Sequence, residues 1–421
     1  MKITGTTEGM KKAIYVIIIL ATTLHSCAKE EQPSARKTIK EFNPLPVTKT
    51  NDLQLFAHYM PWFEDKSTSG NGNWGWHWTM SNQNPDIILE NNQRQIASHY
   101  YPIIGPYASS DPDLIEYHLL LMKYSGIDGI LIDWYGTYDV FDYALNKRNT
   151  EALLDKIEEV GLKFAIVYED ATIRNVLEQT SEDDGRLVAR MDMLYMQEKF
   201  FSKKSYITID NKPLLLVFGP NYFTQPTDWD FVMSVLTKKP CLMPLWGRSD
   251  ETGTNTGGEY IWVDLVDVDE KYATATSHET FGGGAWPGFH DFYKEGGAGD
   301  GYFYIDHSNG SVWRNLLQKA NENKQNIDFL QLITWNDFGE GTIIEPTIEF
   351  GYSYLMDLQN FTGLKYDISQ LKSITTQYNL RKKFNSDKES QQELDQAFYY
   401  WVSLQDTKAK NIIDSLDNLS K

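Results

Sequence analysis

The chain has 421 residues, a formal charge of −19 and an aromatic fraction of 14%. That charge argues against nucleic acid and anionic membrane surfaces as partners, because both recruit clustered Lys and Arg. The apolar content suffices for a large core, which excludes a disordered chain, and the aromatic surplus supplies flat faces of the kind that stack on sugar rings.

Residues 1–27 read as a targeting segment. Lys11-Lys12 precede an apolar run from Ala13 to Leu24, which is shorter than the ~20 residues of an ordinary membrane span. Leu24-His25-Ser26-Cys27 resembles the lipobox of bacterial lipoproteins, which implies cleavage before Cys27 and lipidation of its thiol. Glu30 and Glu31 resemble the surface-export signal of such lipoproteins, so an outer-membrane location, on the surface or the periplasmic face, is expected. With Cys27 lipidated, Cys241 stands alone, and neither an internal disulfide nor a Cys-based zinc site can form. Residues 28–51 are polar, carry Pro33, Pro44 and Pro46, and read as a tether.

From Leu53 onward, strand-like and helix-like stretches alternate. Leu114 to Ser125 is apolar at helical spacing, opens near Asp113 and stops at Gly126; GILIDWYG (129–136) then reads as a strand. Thr150 to Val160 repeats the pattern, with Leu153, Leu154, Ile157 and Val160 on one face, Gly161 as the stop and KFAIVYED (163–170) as the next strand. Near-continuous apolar runs such as GILI and FAIV suit parallel strands covered on both faces. The other candidates are LQLFAHYMPWF (53–63), KPLLLVFG (212–219), CLMPLWG (241–247), EYIWVDLV (259–266), GGAWPGFH (283–290) and FLQLITWND (329–337). Helical patterns at 182–201, 228–238 and 311–322 lie between them. About eight strands with intervening helices predict an α/β fold, a (β/α)8 TIM barrel over residues 52–363. An open doubly wound sheet would need a Gly-rich phosphate turn after the first strand, and AHYMPWFED has none. Residues 364–421 predict helices packed on the barrel, with stripes at Leu394, Ala397, Phe398, Trp401 and Val402, and at Ile412, Ile413, Leu416 and Leu419.

In such a barrel the C-terminal strand ends form the active face. Those ends carry His58-Tyr59-Met60-Pro61-Trp62, Asp133-Trp134-Tyr135, Tyr168-Glu169-Asp170, Trp246-Gly247-Arg248 and Trp335-Asn336-Asp337, followed by Glu340. Carboxylates and rings recurring at one end describe sugar hydrolysis, in which paired carboxyl groups serve as acid and as base or nucleophile. Glu340, between Gly339 and Gly341, is the candidate proton donor, and the charge of Asp337 would help it keep that proton. The plainer alternative has Asp337 capping a turn and Glu340 solvated. Trp62, Tyr135, Trp246, Arg248, Trp286, Trp335 and Asn336 are further candidate sugar contacts. NGNWGWHWTM (71–80) reads as a stacking platform or as lid packing, and Glu345, before Pro346, as the opening of the next helix.

FAHYMPWF, DWYG, VYED and WNDFGEGTIIEPT, in that order between residues 53 and 360, resemble motifs of glycoside hydrolase family 99, the endo-α-mannosidases and endo-α-mannanases, and of the related family 71 α-glucanases. The resemblance implies a retaining (β/α)8 hydrolase acting within α-mannan or mannosyl glycans, with no metal or other cofactor. It assigns the acid/base to Glu340 and substrate contacts to Tyr59, Trp134 and Glu169. It assigns contact with the sugar 2-hydroxyl to Asp337, where the family carries Glu. One missing methylene withdraws that carboxylate by roughly 1 Å, a misplacement that can cost about 100-fold in rate. Two roles for Asp337 therefore stay open, on the 2-hydroxyl or on a water. The WNDFGE form is closer to family 71, so an α-1,3-glucanase is the alternative, as is a glycan-binding lipoprotein without turnover. The expected partners are a polysaccharide or oligosaccharide, the membrane through the lipid alone, and other glycan-uptake proteins.

Overall fold

A computed structural model describes residues 38–419. The expected signal segment and lipobox, Cys27 included, lie outside those residues.

Eight strands run parallel: β1 Leu55–Tyr59, β2 Gly129–Trp134, β3 Lys163–Tyr168, β4 Lys212–Val217, β5 Cys241–Met243, β6 Gly258–Tyr260, β7 Thr280–Ala285 and β8 Phe329–Leu332. Ladders join β1 through β5 in order, and β6 to β7, β7 to β8 and β8 back to β1. The β5–β6 seam is closed by the parallel bridges Leu242–Thr256 and Leu245–Tyr260. The sheet is thus a closed barrel, as the strand count predicts. Every residue of β2 is buried, because barrel interior lies on one side and helices on the other.

Helix α1 (Pro112–Tyr124) has Pro112 in its first turn and is capped by Asp111, whose carboxylate accepts from the Asp113 N–H. Helix α2 (Tyr143–Val160) ends at Gly161, which takes the left-handed conformation with φ of 80°. It starts about two turns before the expected Thr150. The reason is chemical: Asn146 and Asn149 are buried there and spend their amides on backbone, Asn146 Nδ2 on Asp133 O (3.2 Å) and Asn149 Nδ2 on Pro61 O (2.8 Å). Polar residues on the inner face hide the apolar stripe that marks a helix. Helices α3 (Gly185–Lys199) and α4 (Pro226–Met233) follow β3 and β4, and α5 (Ser311–Glu322) precedes β8 within the expected bounds. Only short helical turns follow β5 and β6, at Ser249–Thr252 and Val268–Tyr272.

The C-terminal region forms α6 (Ser353–Thr362), α7 (Ile368–Lys383), α8 (Lys388–Val402) and α9 (Asp406–Leu419). Helix α7 docks on α1 through a bidentate pair: Arg381 Nε and Nη2 donate to Glu116 Oε1 and Oε2 at 2.8 and 2.9 Å. The α8 stripe is buried as expected; on α9, Ile413 and Leu416 are buried, whereas Leu419 is 78% exposed. Within the expected tether, residues 39–51 are not free. The Leu45 N–H donates to Val402 O (2.9 Å) and the Thr50 N–H to Thr362 O (2.9 Å), while Lys123 Nζ donates to Leu45 O (2.6 Å). Pro44 and Pro46 flank Leu45 and hold this stretch extended against the helices.

Candidate active site

Side chains alternate along a strand, so neighbours at a strand end face opposite ways. On β1, His58 faces the barrel interior, edge-on to Trp262 at 4.7 Å. Tyr59 faces outward, with its hydroxyl 3.1 Å from His118 Nδ1 on α1. On β2, Asp133 faces inward, and Trp134 packs outward against Tyr195 and Phe200. Tyr59 and Trp134, expected as substrate contacts, are corrected to framework residues; the inward positions are the ones just before them.

His58 and Asp133 line a cavity of about 240 Å³ at the C-terminal strand ends. Asp133, Glu169, Asp337 and Glu340 all line it, together with Trp62, His77, Tyr135, Phe218, Trp262, Tyr293 and Tyr302. It shares Trp76, His77, Tyr135 and Glu169 with an outer hollow of about 800 Å³ that adds Trp74, Phe141, Tyr143 and Arg174. The two form one cleft walled by rings and floored by acids. Trp62 stacks on His77 at 4.1 Å and 6°.

Asp337 and Glu340 ride on a loop that is tied at its base. The Thr334 N–H and hydroxyl donate to Thr342 O (2.5 and 2.9 Å), and the Glu345 N–H donates to Trp335 O (2.9 Å). Above that stem, the Asp337 N–H donates to Thr334 Oγ1 (2.8 Å), and Asp337 Oδ1 accepts the Glu340 N–H (2.9 Å). A hairpin, Phe289–His290 paired with Tyr304–Ile305, buttresses the tip: the His290 N–H donates to Glu340 O and the Phe292 N–H to Gly339 O, both at 2.8 Å. Gly341 makes that approach possible, with φ of +66° and space for a Cβ only 2.7 Å from His290 O.

Four carboxyl groups in one enclosed cleft cannot all ionise at neutral pH. Burial, then the charge of Asp337, pushes Glu340 well above the carboxylate range, although Tyr293 Oη donates to Glu340 Oε1 at 3.3 Å. Burial raises Asp337 to about 6, with the Glu340 N–H and the His77 ring drawing it back. Burial also raises Asp133 far above its usual value, assisted by Glu169, Asp337 and Glu340, and raises Glu169 to about 8 with help from Asp170. Asp337 therefore ionises before Glu340. A protonated acid beside an ionised carboxylate is the pairing that acid–base cleavage needs.

The remaining expected contacts divide. Trp62, Tyr135 and Glu169 line the cleft with Asp337 and Glu340. Trp246 and Trp286 instead flank the Lys271 ammonium at 5.7 and 5.8 Å, and Arg248 pairs with Glu251 (2.6 Å) while reaching Pro220 O. Those three belong to the packing of the loops after β5 and β7, because a buried ammonium and a guanidinium need partners before a ligand does. Trp335 is buried edge-on to His118 at 5.4 Å, and Asn336 spends its amide on Met60. Both are corrected to loop supports. Glu345 opens no helix: it is buried and accepts from Tyr107 Oη at 2.7 Å. In the 71–80 segment, Trp76 is 47% exposed on the cleft while Trp78 is core, donating to Tyr107 O at 2.7 Å. Platform and packing thus coexist there.

The sequence names His58 and Asp133 only as strand-end residues and His77 only within the 71–80 stretch, and it gives Trp262, Tyr293 and Tyr302 no role. Strand alternation could have found His58 and Asp133. Tyr293 and Tyr302 lie in the excursion between β7 and α5, which has no periodicity to read.

Residues 50–239 match the model of Glycosyl hydrolase family 99. The match ends before β5, so Asp337 and Glu340 lie beyond it. The glycoprotein endo-alpha-1,2-mannosidase of Xenopus laevis is 24% identical over 331 residues, covering 72% of this chain and 65% of that protein. A glycoprotein endo-alpha-1,2-mannosidase-like protein of Danio rerio is 40% identical over 141 residues, covering 33% of this chain and 30% of that one. The chain thus spans slightly under two thirds of the first relative and less than a third of the second. The solved GH99 endo-alpha-mannosidase of Bacteroides thetaiotaomicron superposes with a TM-score of 0.58 at 18% identity, covering 77% of this chain and 99% of that one, a likeness of fold. Residues 50–239, somewhat under half of the chain, are thus similar to glycosyl hydrolase family 99, and the fold is that of a solved GH99 endo-alpha-mannosidase.

Proposed function

We propose that the protein hydrolyses α-linked mannosyl glycans at internal linkages, with Glu340 as general acid and base and Asp337 as its ionised partner. The observation that carries this reading is the Asp337–Glu340 pair, held by one backbone hydrogen bond in a cleft where burial and the Asp337 charge separate their protonation states. Glu340 delivers its proton to the leaving glycosidic oxygen, and Asp337 takes a proton from the sugar 2-hydroxyl or from a water. The aromatic walls hold the apolar faces of the rings, and Glu169 and Asp133 accept or donate to hydroxyls. The larger outer hollow beyond Trp76 and Tyr135 has room for sugars past the scissile bond, which supports internal cleavage. The mannosyl preference draws on the relatives, which carry the name endo-alpha-1,2-mannosidase.

Purified protein offered α-mannan and α-1,3-glucan is expected to release oligosaccharides from α-mannan, and Glu340→Gln to lose roughly 10²- to 10⁴-fold of that rate. Asp337 in place of the family's Glu favours the second reading, α-1,3-glucan cleavage; release from the glucan alone would establish it. Binding of either polymer without turnover would leave a glycan-binding module.

We further propose that the mature chain is an envelope lipoprotein anchored through Cys27, on the strength of the Lys11-Lys12 pair, the apolar run and the lipobox-like Leu24 to Cys27. Metabolic labelling with an alkyne fatty acid should mark the full-length chain and not Cys27→Ala; equal labelling of both would defeat the idea.

A further inference from the structure

Behind the wall of the cleft, buried polar side chains form a close-spaced chain, hydrogen-bonded from Glu345 to Met60, in which none lines the cavity. The Tyr59 hydroxyl stands 3.1 Å from His118 Nδ1, and His118 Nε2 stands 3.3 Å from Glu345 Oε1. Glu345 Oε2 accepts from Tyr107 Oη at 2.7 Å, and Tyr107 Oη accepts from Asn336 Nδ2 at 3.3 Å. Asn336 then grips the Met60 backbone from both sides: Oδ1 accepts the Met60 N–H (2.8 Å) and Nδ2 donates to Met60 O (3.1 Å).

Two features of this chain go beyond packing. First, Glu345 and Asn336 sit on opposite arms of the loop that presents Asp337 and Glu340, and the single Tyr107 hydroxyl joins the arms. Second, the bonds from Glu345 through Tyr107 to Asn336 and Met60 run in one consistent sense. Tyr107 gives its one proton to Glu345 Oε2 and so receives from Asn336 Nδ2. That turns the Asn336 amide so that its oxygen faces the Met60 N–H. Burial and the Glu345 charge push the Tyr107 phenol far up, so it remains a donor. Tyr107 also accepts from Trp78 through its backbone carbonyl, in the segment that places His77 and Trp76 on the cleft.

We infer that Glu345 is a positioning residue for the reaction: through Tyr107 and Asn336 it sets the orientation of the loop arm that carries Asp337, and hence the spacing of Asp337 from Glu340. A buried carboxylate is costly unless partnered, and a hydrophobic side chain would fill this position without that cost. Fixing the geometry of the loop is the return on it.

The inference rests on the hydrolase reading, and Tyr107→Phe tests it, because it removes only the hydroxyl. The expected result is a kcat reduced about 10- to 100-fold with KM within about twofold, as for a misplacement near 1 Å. The acid limb of the pH profile, set by Asp337, should shift, and amide hydrogen exchange at residues 336–341 should accelerate. Glu345→Gln, which can still accept from Tyr107, should keep more activity than Glu345→Leu. Tyr124→Phe is the control, since it removes an equally buried hydroxyl bonded to Trp401 O on the far side of α1. Unchanged kcat and unchanged exchange in Tyr107→Phe would overturn the inference. So would a loss matched by Tyr124→Phe, or one carried by KM and thermal stability alone. If the wild type turns over neither polymer, the hydrolase reading fails, and the exchange measurement still decides whether the hydroxyl orders the loop.

Discussion

At the residue scale the chemistry turns on which carboxyl group holds a proton. The proposed mechanism needs Asp337 ionised and Glu340 protonated, so kcat/KM is expected to rise with pH through about 6, where Asp337 ionises, and to fall only as Glu340 ionises well above the ordinary carboxylate range. In Asp337→Asn the acid limb should vanish and the basic limb move down, because the charge that helps hold the Glu340 proton is gone; pH–rate profiles of the residual activity read both. Asp337→Glu separates the two proposed roles: activity kept or raised fits action on the 2-hydroxyl, and activity abolished fits a water held at fixed distance. Asp133 makes a stability prediction. Its folded pKa lies above its unfolded value, so the folded state binds the proton more tightly and stability falls as pH rises through that interval. Asp133→Asn removes the titration, and its melting temperature relative to wild type should improve from pH 5 to pH 8. A constant difference across that range would refute the assignment.

At the element scale, two junctions hold the site in place. The first is the contact of the 289–305 hairpin with the loop that carries Asp337 and Glu340, which depends on Gly341. Gly341→Ala adds a Cβ in a left-handed backbone and against His290 O, so it should cost at least ~1–2 kcal/mol and displace Glu340, read as lost turnover together with a lowered denaturation midpoint. The second is the Arg381–Glu116 pair between α7 and α1. Arg381→Ala strands a buried carboxylate and should cost about 3–5 kcal/mol, whereas replacing both partners with apolar residues should cost much less; urea unfolding of the single and double variants measures the difference. These elements differ in how far the sequence revealed them. Helix α5 was legible to its ends because its apolar stripe is unbroken. Helix α2 was half hidden because Asn146 and Asn149 turn polar groups inward, a choice that makes sense only once the ends of β2 and β1 that they hold are in view.

At the scale of the whole molecule, parallel strands sandwiched between a barrel interior and a helical coat must be apolar on both faces, and the sequence by itself determined their number, their order and hence the barrel. It also determined that Asp337, Glu340 and Glu169 stand at strand ends, because acids closing apolar runs are visible in one dimension. Only the tertiary structure decided which neighbour faces the cleft: His58 over Tyr59, and Asp133 over Trp134. The residues of a motif do not say where its pleat falls against the barrel axis. Trp246 and Trp286 likewise turned on Lys271, and Arg248 on Pro220 O, 28 residues away in the chain. The proton order of the carboxylates was a tertiary decision as well. A pKa comes from burial and from charges brought close in space, and Asp133, Glu169, Asp337 and Glu340 become neighbours only when the sheet closes.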